Sequence, residues 1–440
     1  MESRPIAFGT DGVRGIANDG LRPEDALRLG LAAGRLFGGR ILLGRDTRLS
    51  GGMLSVSLAA GVASAGARVI DLGILPTPGV AALAPRLGAT AAGVVSASHN
   101  PFPDNGIKFF SGGGRKLSAE EEREIESLTE DASPARPTGS GVGTVELAED
   151  AARLYVEGVL GRLRPRAENM KVLLDCANGA AYEAAPMAFA QTGAELAVVG
   201  GEPSGTNINE GCGSTHIHGL DASGCDVAFA FDGDADRVLA VDERGSIVDG
   251  DAIIAILARD LKERGALAGG VVVTVMSNLG FFKAMESLEI PCEVTPVGDR
   301  HVAEAMQRSG ASIGGEQSGH VILSEHVTTG DGIVTALALL DVMARSGRSL
   351  SELAGMMEIY PQRLINVSVA DAASAKRVAT SEPVERAVRE AEDRLGEEGR
   401  ILLRPSGTEP VVRVMVEHAD AMLCREVCEE VAGVVEEVGT

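Results

Sequence analysis

Three stretches of this chain repeat one order: an apolar run ending in a polar turn, a helical pattern, a second apolar run, and a third that opens into a loop dense in Gly and polar side chains. That order limits the fold more than any other feature. β-rich runs separated by helix-length segments build a parallel or mixed sheet with helices on both faces. In the first stretch Ile41-Leu-Leu-Gly-Arg-Asp46 precedes a helical Gly52 to Gly66, then Arg68-Val-Ile-Asp-Leu-Gly73 and Ala91-Ala-Gly-Val-Val-Ser96. In the second, Val172-Leu-Leu-Asp-Cys-Ala-Asn178 leads to Glu195-Leu-Ala-Val-Val-Gly200 and Asp226-Val-Ala-Phe-Ala-Phe231. In the third, Val271-Val-Val-Thr-Val-Met276, a helix over Leu279 to Leu288 and Cys292-Glu-Val-Thr-Pro-Val-Gly298 lead to Ala311-Ser-Ile-Gly314.

From Ile365 the pattern changes to a strand, a charged helix over Glu382 to Glu397, strands at Arg400 to Leu403 and Val411 to Val416, and a final helix. The sequence therefore predicts three similar α/β/α domains with mixed sheets and a smaller C-terminal α+β domain. Breaks where Gly and Pro cluster or the pattern resets give boundaries of 1–145, 146–249, 250–362 and 363–440. Ligands in such sheets bind beyond strand ends. The acidic runs Glu120 to Glu130 and Glu382 to Glu398 read as solvated helix faces without catalytic content.

Composition narrows the partners. Forty Lys and Arg against sixty-three Asp and Glu give a net charge of −23, a field that repels polyanions, and aromatics are only 3% with no Trp. Nucleic acid is a poor partner for such a chain. A small phosphorylated substrate would need a locally positive cleft. Six Cys without a C-x-x-C pair suit a reducing compartment, no secretory leader is visible, and the longest apolar stretch, Ile333 to Ala344, is too short to span a bilayer. A cytoplasmic protein with no membrane partner is expected.

The loops carry the chemistry. Asp232-Gly-Asp-Ala-Asp-Arg237 offers Asp232, Asp234 and Asp236 as three hard oxygen ligands for one divalent cation, with Mg²⁺ favoured over Zn²⁺ by the all-oxygen set. An EF-hand shares the alternation, but Arg237 stands where its Gly is needed. Three carboxylates this close repel one another unless a cation lies between them. The alternative is an acidic turn without a ligand. In Ser96-Ala-Ser-His-Asn-Pro101, Ser98 stands at a loop tip outside any G-x-S-x-G elbow, so acyl transfer has no support there. Lys108 follows in Asn105-Gly-Ile-Lys-Phe109, either as a cation serving a phosphate or a proton transfer, or as an ordinary surface lysine.

Arg404-Pro-Ser-Gly-Thr-Glu-Pro410 with Arg413 combines two hydroxyls, a Gly N–H and two guanidiniums, which describes a phosphate cradle. Gly315-Glu-Gln-Ser-Gly-His320 places Glu316 and Ser318 where vicinal sugar hydroxyls could be held, with His320 as an acid or base. Arg14 belongs to the Gly-rich segment Phe8-Gly-Thr-Asp-Gly-Val-Arg-Gly15, read as an anion-approaching loop. Asp299 and Arg300, in Thr295-Pro-Val-Gly-Asp-Arg300, are either substrate contacts or part of a plain turn.

Taken together, in this order and at this spacing, these loops resemble those of the α-D-phosphohexomutase superfamily, across the whole chain and with no departure from its catalytic pattern. The resemblance implies a TATA-binding-protein-like last domain and one central cleft. It implies phosphorylation of Ser98, and Mg²⁺ held by Asp232, Asp234, Asp236 and the Ser98 phosphoryl oxygen. Glu316 and Ser318 would hold hydroxyls, with Asp299 and Arg300 beside them, while Arg404, Ser406, Gly407, Thr408 and Arg413 grip the distal phosphate. Lys108 and His320 are the implied proton-transfer candidates, with Arg14, His99 and Arg237 as stabilisers. The substrates would be small sugar phosphates turning over through a hexose 1,6-bisphosphate that also primes the enzyme.

The Phe8 to Gly15 segment and Ser-Gly-Thr of the phosphate loop are similar to the branch that converts glucosamine 6-phosphate to glucosamine 1-phosphate for UDP-N-acetylglucosamine synthesis. A mannose or glucose mutase of the same mechanism is the alternative. A metal-dependent phosphatase and a sugar-phosphate sensor are rivals from other classes. The assembly state stays open, with a homodimer among the alternatives.

Overall fold

The computed structural model describes residues 5–9, 11–131, 133–406 and 410–439. The first sheet has six strands, β1 (Val13–Ile16), β2 (Arg40–Arg45), β3 (Arg68–Ile74), β4 (Ala91–Val95), β5 (Asp104–Ser111) and β6 (Val145–Leu147), in the order β1-β5-β4-β2-β3-β6. The second comprises β7 (Lys171–Asp175), β8 (Glu195–Val199), β9 (Val227–Phe231), β10 (Val238–Asp242) and β11 (Ile247–Val248), ordered β11-β10-β9-β7-β8. The third comprises β12 (Val271–Thr274), β13 (Cys292–Thr295), β14 (Ile313–Gly315) and β15 (Val321–Leu323), ordered β13-β12-β14-β15.

These sheets share a common core. β2, β3 and β4, β7, β8 and β9, and β12, β13 and β14 run parallel, and the last of each set turns back into an antiparallel partner: β4 into β5, β9 into β10, β14 into β15. The three polar loops seen in the sequence are therefore equivalent hairpin connections. The returning strands were not expected. β5 begins Asp104-Asn-Gly, which reads as a turn, and its pairing with β4 and β1 overrides that local signal.

The central apolar runs are buried in each sheet, β4 and β9 at every position, whereas the edge strands β8 and β13 are largely not. Ala, Val, Leu and Ile supply most of this interior, as in the cluster of Leu29, Ile41, Leu43, Leu58, Val62 and Val95. Asp249 caps the Gly250–Glu263 helix through the Ala252 N–H, and Asp331 caps Gly332–Ser346 through the Val334 N–H. Among the described residues, no helix is long and apolar enough to cross a membrane.

The chain forms two compact units. One contains residues 1–276 and 290–356, and the other residues 277–289 and 357–440. The second unit has a three-stranded antiparallel sheet of β16 (Gln362–Ser368), β17 (Gly399–Pro405) and β18 (Val411–His418), ordered β16-β18-β17. An Ala372–Ala379 helix not foreseen from the sequence is capped by Asp371 and packs on this sheet. The Leu279–Ser287 helix, read in the sequence as part of the third stretch, joins the C-terminal strands instead. Asn278 bonds the Tyr360 backbone, and Glu417 accepts the Leu279 N–H. Gly280 permits this contact, because a Cβ there would lie 1.6 Å from the Glu358 carbonyl oxygen.

Candidate active site

In the first unit, the β4–β5 and β9–β10 connections meet. Ser98 is 2% exposed and adopts φ +50°, a left-handed conformation that costs a non-glycine residue about 1–2 kcal/mol. Its Oγ donates to Asp232 Oδ2 at 2.6 Å and lies 3.4 Å from His99 Nδ1. Gly233 is what lets the loops close: a Cβ there would lie 2.5 Å from the Ser98 carbonyl oxygen. Asp232, Asp234 and Asp236 are all buried, and each offers a carboxylate oxygen within 4.8 Å of the other two.

This cluster is not internally satisfied. Asp234 Oδ2 accepts from Thr77 Oγ1 at 2.6 Å and from Lys108 Nζ at 2.7 Å, yet Asp234 Oδ1 and Asp236 Oδ1 are buried with no hydrogen-bond partner. Burial, then Asp236 and Asp234, pushes the Asp232 carboxyl well above its ordinary value. Asp236 goes the other way: burial opposes ionisation, but Lys108, His320 and Arg237 outweigh it. Three converging carboxylates with unmatched oxygens fit a hard divalent cation better than any arrangement of protein donors present.

The structure sets aside the surface-lysine alternative for Lys108. It lies on β5, 7% exposed, with Nζ also 3.8 Å from Asp236 Oδ2. Burial would discharge it, but Asp234 and Asp236 raise its pKa above the usual lysine value, so it is an ammonium here. Arg14 likewise sits on strand β1 rather than in a loop; its Nη1 is 3.4 Å from Asn100 Oδ1 and it pairs with Asp11. Arg237 donates its backbone N–H to Asp232 Oδ1 at 3.2 Å. Burial, then Arg237 and Arg14, lowers the pKa of His99.

The third hairpin belongs to the same unit. His320, 2% exposed, has Nδ1 3.7 Å from Asp236 Oδ2 and Nε2 3.7 Å from Asp299 Oδ2, and Nε2 accepts the Gly330 N–H. Burial disfavours its charge, but Asp236 and Asp299 raise its pKa. Ser318 is exposed, and Glu316 accepts the Gly298 N–H at 3.2 Å. Asp299 opens the Asp299–Ser309 helix and pairs with Lys116; Arg300 pairs with Glu122 at 2.5 Å.

In the second unit, Arg404 on β17 and Arg413 on β18 are directly opposite partners, so their side chains share one face. Burial, then Arg413, lowers the Arg404 pKa. Like charges placed directly opposite are unfavourable unless other groups offset them. Ser406 is 9% exposed and donates its N–H to Val411. Gly407 and Thr408 lie outside the described residues.

Sequence reasoning missed Asp46, Arg48, Thr77 and Asn209. Thr77 opens a helix and reaches Asp234 from outside any motif; Asn209 Nδ2 donates to the Ser98 carbonyl at 3.0 Å. For Asp46 and Arg48 a signal existed, since Asp46-Thr-Arg48 follows β2 at the strand end where such sheets keep their chemistry.

Comparison with known proteins agrees along the whole chain. Family models for phosphoglucomutase/phosphomannomutase match as alpha/beta/alpha domain I at residues 5–136, domain II at 153–245, domain III at 249–360, and the C-terminal domain at 364–434. A phosphoglucosamine mutase of Rubrobacter xylanophilus is 72% identical over 438 residues, covering 100% of this chain and 99% of the relative. One of Carboxydothermus hydrogenoformans is 50% identical, covering 98% and 99%. A phosphoglucomutase/phosphomannomutase family protein of Burkholderia thailandensis shares the fold with a TM-score of 0.84 at 24% identity, covering 98% of this chain and 97% of that one. N-acetylphosphoglucosamine mutase of Aspergillus fumigatus, solved with GlcNAc-6P and magnesium, does so with a TM-score of 0.71 at 20% identity, covering 99% and 96%. The chain is an enzyme of the phosphoglucosamine mutase family, within the phosphohexomutase superfamily.

Proposed function

We propose that the chain interconverts glucosamine 6-phosphate and glucosamine 1-phosphate through a phosphorylated Ser98. Isomerisation of a hexosamine phosphate is the activity of its family. The observation that carries the residue assignment is the 2.6 Å contact between Ser98 Oγ and Asp232, beside two buried carboxylate oxygens that lack partners.

In the first half-reaction the bond between phosphorus and Ser98 Oγ breaks as a bond forms to the free sugar hydroxyl, giving the 1,6-bisphosphate and unmodified Ser98. The bisphosphate then reverses in the site. In the second, its original phosphoryl passes to Ser98 Oγ, which releases the other monophosphate and restores the phosphoserine. The hydroxyl proton lost in one half-reaction matches the one regained in the other. His99 Nδ1, 3.4 Å from Ser98 Oγ, is close enough to serve that proton.

Asp232, Asp234 and Asp236, with the Ser98 phosphoryl, would hold one Mg²⁺, which when bound draws off the charge that develops on the transferring phosphoryl. Lys108, Arg14 and Arg237 supply fixed positive charge to the same oxygens. The ammonium of Lys108 suits it to donate a proton or hydrogen bond rather than to accept a proton in this arrangement. Glu316 and Ser318 take sugar hydroxyls, His320 holds Asp236 and Asp299 in register, and Arg404, Ser406, Gly407, Thr408 and Arg413 take the distal phosphate. Four domains, with the boundaries given above except that the Leu279–Ser287 helix packs with the last, complete the reading. Six free cysteines suit a cytoplasmic location.

The test is phosphorus NMR of the Mg²⁺-loaded protein with glucosamine 6-phosphate and mannose 6-phosphate in competition, primed with hexose 1,6-bisphosphate. Faster glucosamine 1-phosphate formation, lost in Ser98→Ala, is expected. Preferential mannose 1-phosphate would overturn the substrate, inorganic phosphate alone would mean a phosphatase, and wild-type turnover by Ser98→Ala would remove Ser98 from the chemistry.

A further inference from the structure

Arg48 lies in none of the four loops, yet among the described residues no side chain near Ser98 has more bonds to its loop. The residue is 2% exposed, in the turn after β2. Its Nη2 donates to the carbonyls of Ser98 at 2.7 Å and Asn100 at 2.8 Å, and its Nη1 to those of Pro101 and Asp104. Nε donates to Asp46 Oδ2 at 2.8 Å. A guanidinium has five N–H donors, and all five are used, four of them on the backbone of one loop.

Asp46 extends the grip to the other side of Ser98. Its Oδ2 also accepts from Ser96 Oγ at 2.6 Å, and Ser96 Oγ in turn accepts the Ser98 N–H at 2.9 Å. Asp46 thus reaches the Ser98 N–H through Ser96 and the Ser98 carbonyl through Arg48. The residue held between them has φ +50°. A left-handed serine keeps that backbone only where its surroundings enforce it, and its backbone determines where Oγ points.

We propose that Arg48 is a positioning residue for phosphoryl transfer, holding the backbone of the Ser98 loop so that Oγ stays aimed at the Asp232 carboxylate. It touches neither Ser98 Oγ nor the acidic triad, so it acts through the peptide alone. The inference rests on Ser98 as the phosphoryl carrier. It implies that Arg48 controls the rate of transfer and leaves binding of the monophosphate untouched.

Arg48→Lys keeps the charge beside Asp46 but has three donors in place of five, so at least two of the bonds must be lost. Ser96→Ala removes the other side of the grip and one bond to Asp46, while leaving Arg48 and its four carbonyl acceptors in place. For each, the Mg²⁺-loaded, full-length protein is compared with wild type. Four quantities are measured: thermal midpoint, kcat and KM for glucosamine 6-phosphate, the rate at which hexose 1,6-bisphosphate phosphorylates the dephospho-enzyme, and the site of the phosphoryl by peptide mass spectrometry.

The expected result is a ten- to hundredfold fall in kcat and in the phosphorylation rate for Arg48→Lys, a smaller fall for Ser96→Ala, KM within twofold, and a folded protein. Unchanged kcat and phosphorylation rate in a folded Arg48→Lys would overturn the positioning role while leaving phospho-Ser98 standing. So would a loss that tracks the thermal midpoint and raises KM equally. If Arg48→Lys does not fold, Ser96→Ala decides by the same split. A wild-type enzyme whose phosphoryl is found elsewhere than Ser98 would overturn both readings.

Discussion

Two regions of this molecule bury carboxylates completely and treat them in opposite ways. In the second unit, Glu417 is 0% exposed and fully matched: Oε1 accepts from Asn278 and Gln362, Oε2 from the Leu279 N–H at 3.0 Å and from Arg400 at 2.5 Å. In the first unit, Asp232, Asp234 and Asp236 crowd together with two oxygens lacking a hydrogen-bond partner. Burial alone therefore does not mark a functional acid. Unmet hydrogen-bonding capacity does, because a structural carboxylate is retained only when its surroundings replace water, whereas a site keeps its demand for the missing ligand.

The contrast can be broken most directly by removing charge from each region. Asp232→Asn should lower kcat by at least about a hundredfold, since it removes a charge from the reacting centre. In chelator it should raise the folding stability by about 1 kcal/mol or more, because burial and its neighbours already disfavour that charge. Glu417→Ala should instead lose about 3–5 kcal/mol in denaturant unfolding, through stranded donors on Arg400, Asn278 and Gln362. If both variants move stability in the same direction, the distinction between demand and satisfaction fails.

Adding Mg²⁺ sharpens the same comparison. At a hundred times its dissociation constant a ligand of the native state stabilises by about 2.7 kcal/mol. The thermal midpoint of wild type should therefore rise by a few degrees, and that of Asp232→Asn should barely move. Equal shifts in the two would mean that the cation binds elsewhere.

A third buried carboxylate, Asp331, lies between these extremes. It accepts from Tyr155 Oη and the Val334 N–H, but burial raises its pKa to about 6. A raised folded pKa means that the native state binds this proton more tightly than the unfolded chain. The group's contribution to stability is full below about pH 4 and is lost as pH rises through about 6. Replacing it by Asn, which keeps an acceptor for the helix cap, should flatten the stability profile in that window. A wild-type slope that persists in Asp331→Asn would show that another group titrates there.

The sequence announced the hairpin loops because their chemistry is local: three acids in five residues, or Ser-His-Asn-Pro at a strand end, can be read without knowing what they face. Lys108 was legible as a candidate but its burial was not, because that depends on Asp234, which lies 126 residues away. For Arg48 the strand-end position was legible but the role was not, because its four carbonyl acceptors lie about fifty residues further on. The strand β5 and the Ala372–Ala379 helix escaped because their local composition is weak and pairing or packing decides them, whereas β10 and β15 are short apolar runs directly after polar loops, where the loop chemistry drew the reading.

The Leu279–Ser287 helix has a consequence for how the molecule can be cut. The chain passes between the two compact units at three points, near residues 276, 289 and 356, rather than at one linker. A protease that nicks the connection near residue 356 would leave the C-terminal sheet tied to the rest by the Asn278, Tyr360 and Glu417 bonds, and the fragments should migrate together until denatured. A gene fragment beginning at residue 357 would lack one of its own packing elements, so this end of the protein is not a cassette that can be lifted out or exchanged without carrying a piece of the third stretch with it.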